Sequence, residues 1–224
     1  MARQSRLFVP GCPHLVGLPA LAGLDPCPAE GDRRQMWQLL FETAASAHVR
    51  VHAAALLPGE IRLLATPQDL PGLSVWVQAL GRRYVSAYNR AHGRSGTLWA
   101  GRFRAAAVAP GDWALAALRY VDGASSEPGR TGAGQRCGEP RQWPLSDPPE
   151  YWSLGNTPFE RERTYAALLA EPLAGAHVDR LTRALRGGWP CGEAGFLRQV
   201  EAEHARPSQP RPRGRPALPR QQRP

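Results

Sequence analysis

The sequence predicts an α+β fold in which an antiparallel sheet packs against helices. Apolar residues recur at spacings of three and four over residues 32–48 and 71–92, which is typical of amphipathic helices. Short runs of β-branched and small apolar residues lie between these helices, and a Pro58-Gly59 turn joins two of them. Because such a turn joins antiparallel neighbours, the pattern favours a small α+β sandwich over a doubly wound parallel sheet.

The amino-terminal region contains two short apolar runs, at residues 6–9 and 14–18, that we expect to form strands. Proline and glycine separate the two runs. The first helix is expected over residues 32–48, with Asp32 near its N-cap because a carboxylate can accept the free backbone N–H groups there.

The central region begins with strands at residues 49–57 and 61–65, which should pair as an antiparallel hairpin. A long helix over residues 71–92 follows, and then a strand at residues 103–109. A third helix is expected over residues 111–121, capped at its start by an aspartate.

Residues 122–149 are rich in Gly, Ser, Pro and Arg and are expected to form a loop or linker. The motif TPFE at residues 157–160 is a capping box with proline at the first helical position, so it should begin a helix that runs to residue 169. Two further helices are expected at residues 175–185 and 193–202.

These elements divide the chain into a domain of residues 1–125, a linker of residues 126–150, a helical extension of residues 151–204 and a tail of residues 205–224. The tail holds six Arg, six Pro and no acidic residue, so it should be disordered. Within it, PRGRP resembles an AT-hook, whose arginines would be Arg213 and Arg215, and a solubilising tail is the alternative.

The composition indicates a nucleic-acid partner. The chain has 28 Arg, no Lys and 19 acidic residues, for a net charge of +9, and positive potential of this size steers a protein toward DNA or RNA. No apolar run approaches the roughly 20 residues of a membrane span, and the amino terminus lacks the apolar core of a signal peptide, so we expect a cytoplasmic protein without a membrane partner.

The most informative segment, here called the basic block, is residues 81–105, which contain six arginines and no acidic residue. Tyrosine, tryptophan and phenylalanine are interleaved with the arginines, a mixture that suits phosphates and unstacked bases. The alternative is a solvated helix face followed by a loop. The candidate DNA-binding residues of this block are Arg82, Arg83, Tyr88, Arg90, His92, Arg94, Trp99, Arg102 and Arg104.

The sequence of the basic block, YxxxYNRxHGRxGxLWxGRF, resembles the corresponding segment of the REP-associated tyrosine transposases, which are single-tyrosine HUH transposases. The stretch LGNTPFERERTY…GGWPCGEAGF at residues 154–196 also resembles the helical extension of one of their subgroups. The resemblance implies a ferredoxin-like sheet backed by helices. It also implies cleavage and rejoining of single-stranded DNA at hairpin repeats, through a phosphotyrosine and a Mg²⁺ or Mn²⁺ ion held by a His-hydrophobic-His pair. Because proteins of this family often dimerise, the resemblance also allows a homodimer.

The resemblance places Tyr120 at the nucleophile position, but the following Asn-Pro-Val of the family is Ala-Ser-Ser here. Glu60 and Arg62 replace both metal-ligand histidines. Glu60 could hold a hard cation through oxygen, whereas the guanidinium of Arg62 cannot be a ligand. We therefore expect a DNA-binding protein with cleavage lost or impaired, possessing no metal or one held by Glu60. An active enzyme that uses Glu60 and a non-enzymatic RNA-binding module are the alternatives.

Overall fold

The four strands of the described chain form one antiparallel sheet in the spatial order Val49–Leu57, Glu60–Pro67, His14–Pro19 and Arg104–Ala107. The computed structural model describes residues 6–205 and 207–209. The strands are β1 (His14–Pro19), β2 (Val49–Leu57), β3 (Glu60–Pro67) and β4 (Arg104–Ala107). The α-helices are α1 (Glu30–Ser46), α2 (Gly72–Ala91), α3 (Asp112–Asp122), α4 (Pro149–Trp152), α5 (Pro158–Ala170), α6 (Gly175–Gly187) and α7 (Ala194–His204).

The first six elements run β-α-β-β-α-β, and β1 and β3 form the centre of the sheet. This connectivity confirms the predicted α+β class and the ferredoxin-like arrangement. The predicted hairpin is also confirmed: Leu57 lies opposite Glu60, and Gly59 between them adopts a φ of 90°, which favours glycine in the turn.

Each face of the sheet has its own apolar core. Helices α1 and α2 cover one face, where Leu40 and Trp76 pack against the sheet with no exposed surface. On the other face, Val121 of α3 packs with Tyr165 of α5 and Leu181 of α6. The carboxyl-terminal helices therefore complete the second side of the sandwich.

The segment expected to be a loop or linker is packed in the structure. It contains a 3₁₀ helix, Ala133–Arg136, and buries the guanidinium groups of Arg130 and Arg136. Arg130 donates to the backbone oxygen of Leu56 at 3.0 Å and pairs with Asp25 at 3.1 Å. These contacts tie the segment to the end of β2.

Residues 6–9 do not form the strand that their apolar character predicts. The backbone of Val9 is used in a turn instead: its oxygen accepts from the Cys12 N–H at 3.2 Å, and its N–H donates to His14 Nε2. Leu7 and Val9 pack beside Val200 of α7. The hydrophobic residues are thus buried without strand pairing.

Asp32 lies near the N-cap of α1, as predicted, whereas the N-cap predicted at Asp112 is wrong by one residue. Asp32 is the third residue of α1, where its carboxylate accepts from the N–H of Ala29 at 3.1 Å. The N-cap of α3 is Gly111, with a φ of 79°, so Asp112 is the first helical residue. Over the described residues, none of the helices has the length and apolar character needed to cross a bilayer.

Candidate functional site

Strand β3 and helix α3 bring together the three residues that were predicted at the catalytic centre, and we call this group the tyrosine centre: Glu60, Arg62 and Tyr120. Glu60 and Arg62 lie two residues apart on β3 and therefore face the same side of the sheet. Tyr120 comes from α3, which packs on that side. The Arg62 guanidinium carbon lies 4.3 Å from the centre of the Tyr120 ring, within the range of a cation–π contact.

Arg62 also forms an ion pair with the carboxylate of Glu60. Its Nε lies 3.1 Å from Glu60 Oε1, and its Nη2 donates to the same oxygen. The side chains are only 16% and 27% exposed, so water screens this ion pair less than it would on an open surface. Arg62 therefore contacts both other members of the centre.

The Tyr120 hydroxyl shares a 2.9 Å hydrogen bond with Thr182 Oγ1 of α6. A cavity of about 290 Å³ opens beside the tyrosine ring and is lined partly by Arg62 and Arg119. The Arg119 guanidinium donates to the backbone oxygens of Leu168 and Glu171. Sequence reasoning missed Thr182, because its role depends on how α6 docks against α3.

The residues present do not fit a Mg²⁺ or Mn²⁺ site. Such ions need several oxygen ligands, yet one oxygen of Glu60 is bound to a guanidinium that would repel a cation. Nowhere in the described ranges do three or more His, Cys, Asp or Glu side chains come together in a group able to hold a metal. The chemistry of this centre is therefore that of an arginine, a carboxylate and a phenol.

The histidines near the sheet are used elsewhere. His52 lies on β2 and bonds to Thr66 Oγ1 at 2.8 Å and to the Ser146 backbone oxygen at 2.7 Å. His48 lies in the turn after α1, with a φ of 51°. As the sequence predicts, these two histidines do not share a helix face.

Most arginines of the basic block are open to solvent. The exposed members whose side chains make no hydrogen bond or ion pair with any other described residue are Arg82, Arg90, Arg102 and Arg104. Arg83 is also exposed, but it pairs with Glu42 at 2.6 Å. The four unpaired guanidinium groups can bind phosphate without first breaking an internal contact.

Tyr88 and His92 are placed differently from the expected DNA contacts. Tyr88 is only 4% exposed, and its hydroxyl donates to the Asp25 backbone oxygen at 3.0 Å, so its ring presents no open face to a base. His92 Nε2 lies 3.0 Å from a carboxylate oxygen of Asp32. Arg94 lies over the Tyr88 ring, with its guanidinium carbon 5.8 Å from the ring centre. The side chains of residues 88–94 in the basic block are therefore engaged in contacts within the protein.

Trp99 is half-buried and packs against the core beneath α1 and α2. Its backbone forms a bridge with Ala20, and the N–H of Ala100 donates to the Pro19 oxygen at 2.9 Å, which anchors the loop to the end of β1. Trp99 is therefore a fixed ring with part of its surface accessible.

Arg6 adds a positive charge that sequence reasoning missed. Its guanidinium lies 3.5 Å from the centre of the Phe103 ring and donates to the Phe103 backbone oxygen. Burial and the nearby charge of Arg102 lower the pKa of Arg6 to about 10, so it stays charged at neutral pH. The predicted DNA contacts Arg213 and Arg215 lie outside the described residues.

Comparisons with known proteins give only distant likenesses. No protein-family model and no curated protein matches the chain. Among solved structures, it is similar to a REP-associated tyrosine transposase bound to a REP hairpin, with 15% identity over 54% of this chain and 70% of that chain and a TM-score of 0.43. It is also similar to a protein from Deinococcus radiodurans R1 that has been assigned as a transposase, with 17% identity over 49% and 88% of the chains and a TM-score of 0.38. These likenesses are too distant to assign a role to any residue here.

Proposed function

We propose that the chain is a transposase-like DNA-binding protein that holds single-stranded or hairpin DNA on the basic block and has lost most or all of its cleavage activity. The observation that carries this proposal is the position of Arg62, between Glu60 and Tyr120. A guanidinium there keeps a positive charge for a DNA phosphate, while it occupies the one carboxylate that could help to hold a metal.

The environment of Tyr120 supports the loss of cleavage. A phenol has an ordinary pKa near 10, so attack on a phosphodiester at neutral pH needs a nearby base or a metal ion. The hydroxyl is bonded to Thr182, which is not a base. Arg62 can neutralise a phosphate and bind two of its oxygens, but it cannot act as a Lewis acid.

The basic block supports the binding half of the proposal. Four exposed arginines whose side chains have no internal partners lie on α2, in the loop that follows it and at the start of β4, and the backbone of that loop is fixed through Trp99. Guanidinium groups form paired hydrogen bonds with phosphate, and a partly accessible indole offers a stacking surface. A single strand suits this mixture because its bases are not already stacked in a duplex.

The two alternatives receive less support from the geometry. An active enzyme would have to free Glu60 from Arg62 before the carboxylate could bind a metal. An RNA-binding module of this shape would stack bases on an open sheet, but helices cover both faces of this sheet in the described structure.

The binding half is tested by fluorescence anisotropy with a labelled hairpin oligonucleotide at several salt concentrations. The variant Arg82→Ala/Arg90→Ala/Arg102→Ala/Arg104→Ala should bind at least about tenfold more weakly. The slope of log affinity against log salt should fall by about 0.7 for each lost phosphate contact. The control variant removes the same charge from exposed arginines elsewhere, Arg34, Arg50, Arg163 and Arg198. An equal loss in both variants would contradict a localised binding surface.

The cleavage half is tested with 3′-labelled single-stranded hairpins in Mg²⁺ or Mn²⁺, analysed on denaturing gels. We expect no covalent protein–DNA adduct. Appearance of an adduct that disappears in Tyr120→Phe would show that the enzyme is active. If Glu60→Ala also abolished that adduct, the alternative with Glu60 as metal ligand would replace the present proposal.

A further inference from the structure

A cavity of about 320 Å³ opens between the first half of α1 and the packed segment before α4, and we call it the tryptophan cavity. Its lining includes Arg33, Arg34, Trp37, Gln142 and Trp143. It shares no lining residue with the tyrosine centre or the basic block. Its volume lies at the small end of the roughly 300–1,000 Å³ that is typical of sites for small organic ligands.

The aromatic wall of the cavity belongs to a group of three nearly parallel rings. The Trp37 and Trp143 rings have centres 5.6 Å apart and planes that differ by 10°, and Phe41 stacks with both at plane angles of 13° and 15°. Trp37 is buried, whereas Trp143 is half-buried and keeps part of its surface accessible. A flat aromatic surface beside a cavity favours a planar ring as ligand.

Hydrogen bonds hold this wall in place. The Gln135 carboxamide oxygen accepts from the backbone N–H groups of Gln142 and Trp143, and its nitrogen donates to the Trp143 backbone oxygen at 3.0 Å. On the α1 side, the Trp37 indole N–H donates to the Gly129 backbone oxygen at 3.0 Å. Because the wall is already ordered, a ligand that stacks on it loses little free energy to ordering the protein.

Two neighbouring arginines of α1 bring positive charge to the cavity. Arg34 pairs with Glu30 at 2.8 Å, but these side chains are 71% and 78% exposed, so water competes strongly with the pair. Arg33 lies 3.5 Å from Glu127, whose carboxylate has a closer partner in Arg130 at 2.7 Å. Both guanidinium groups can therefore turn to an anion without breaking a strong internal contact.

The charge around the cavity is balanced, unlike that of the basic block. Glu30 lines the cavity and Glu127 lies beside it, so these two carboxylates offset the charges of Arg33 and Arg34. A DNA strand is drawn to a surface with net positive charge, which this cavity lacks. A single phosphate needs only a local contact with a guanidinium group, so the cavity suits a small anion better than a polyanion.

Gln142 supplies a polar group at the edge of the cavity. It is exposed, and its side-chain amide makes no hydrogen bond with another described residue. A carboxamide both donates and accepts, and this combination matches the edge of a nucleobase.

We propose that the tryptophan cavity binds a free nucleoside monophosphate. The base stacks on Trp143, the phosphate lies at Arg33 and Arg34, and the Gln142 amide bonds to the edge of the base. Nucleotide binding here does not require the chain to bind DNA, because the cavity and the DNA-binding surface are formed by different residues.

The test is isothermal titration calorimetry of the full chain with AMP, GMP, CMP and UMP, and with adenosine and ribose 5-phosphate. At least one monophosphate should bind with a Kd below about 1 mM. It should bind about tenfold more tightly than its own nucleoside or ribose 5-phosphate, since each of these keeps only one half of the contacts.

Charge is tested with Arg33→Ala/Arg34→Ala. This variant should lower the affinity for the nucleotide about tenfold, to that of the nucleoside, and leave the nucleoside affinity unchanged. Its affinity for hairpin DNA should also stay unchanged. The control Arg50→Ala/Arg163→Ala removes the same charge from other exposed positions and should bind the nucleotide as the wild type does.

Stacking is tested at Trp143. Trp143→Phe should keep most of the affinity, whereas Trp143→Leu should weaken both the nucleotide and the nucleoside about tenfold. Because Trp143→Leu removes a ring that packs on Trp37, circular dichroism should first show that this variant is folded, and Trp143→Phe tests the same site if it is not.

Three results would overturn the inference. None of the four monophosphates binds, or ribose 5-phosphate binds as tightly as the best of them, or the Arg33→Ala/Arg34→Ala and control variants bind the nucleotide equally. Displacement of the nucleotide by a single-stranded oligonucleotide, with equal weakening of both ligands in Arg33→Ala/Arg34→Ala, would instead assign the cavity to DNA and also contradict it. None of these results bears on hairpin binding by the basic block, which the separate anisotropy experiment measures.

Discussion

Arg62 combines a fixed positive charge with a side chain that cannot bind a metal ion. The Arg62 guanidinium can attract a phosphate, and its contact with the Tyr120 ring holds it in place. The same side chain cannot coordinate a metal and engages Glu60. The residues at positions 60 and 62 therefore offer a positive charge to an anion but no unpaired carboxylate to a metal ion.

His14 is a buried polar residue whose hydrogen bonds require the neutral imidazole. Its Nδ1–H donates to the Cys12 backbone oxygen at 2.9 Å, and its Nε2 accepts from the Val9 N–H. Protonation of Nε2 would remove that acceptor and bury a charge. Burial accordingly lowers the pKa of His14 from 6.5 to about 4.

We expect the free energy of unfolding to decrease as the pH is lowered, because of His14. Below pH 6.5 the unfolded chain binds a proton at position 14 that the folded chain does not take up until about pH 4. The folded state should therefore lose about 2 kcal/mol between pH 7.5 and pH 5 through His14 alone. Burial also lowers the pKa of His52, which adds a contribution of the same sign.

The measurement is urea unfolding at several pH values between 7.5 and 5. His14→Gln should flatten the pH dependence of the free energy of unfolding, although it lowers stability at neutral pH. Leu15→Ala, a buried and non-titrating variant of the same strand, should lower stability equally at each pH. Parallel curves for His14→Gln and the wild type would contradict the assignment.

Elements with strong local signals were predicted closely from the sequence. Strand β2 has the predicted bounds, and α2 differs from its prediction by one residue at each end. The capping box of α5 is confirmed, since the Thr157 side chain accepts from the Glu160 N–H and the Glu160 carboxylate accepts from the Thr157 N–H. In each case the determining residues lie within a few positions of one another.

Features that depend on distant contacts were not predictable in this way. The run at residues 6–9 looks like a strand, but its burial beside α7 requires no strand partner. Tyr88 was expected to be open because it lies among arginines, yet its hydroxyl reaches Asp25, far away in the sequence. Likewise, Tyr120 could be found from its motif, whereas its partner Thr182 could not, because their contact is tertiary.

A buried network joins the sheet to the carboxyl-terminal helices. Arg136 is only 1% exposed; it pairs with Asp122 at 2.9 Å and with Asp147 at 3.2 Å, and it donates to the His52 backbone oxygen. Tyr165 of α5 donates to Asp122 at 2.8 Å. Burial raises the pKa of Asp122, while the Arg136 charge and the Tyr165 hydroxyl oppose that rise. One arginine thus connects β2, α3 and the segment before α4.

This connection predicts that the whole described chain unfolds as one unit, although the sequence suggests separate parts. Arg136→Met should lower the free energy of unfolding by about 3–5 kcal/mol, because it leaves the buried carboxylate of Asp122 without a cation and leaves Asp147 with only the exposed Arg141. The control Arg141→Met removes the more exposed arginine that also contacts Asp147 and should cost less than about 1 kcal/mol.

Urea unfolding followed by far-UV circular dichroism and by tryptophan fluorescence measures both effects. Because Trp76 lies on one face of the sheet and Trp113 on the other, fluorescence reports on both cores. The two signals should give coincident transitions in the wild type, since each core uses the same four strands and Arg136 ties the second core to β2.

A separate early transition that leaves the helices of residues 151–204 unfolded and the sheet intact would instead support an independent extension. In that case Arg136→Met would shift only the early transition, and the loss of stability would not reach the sheet.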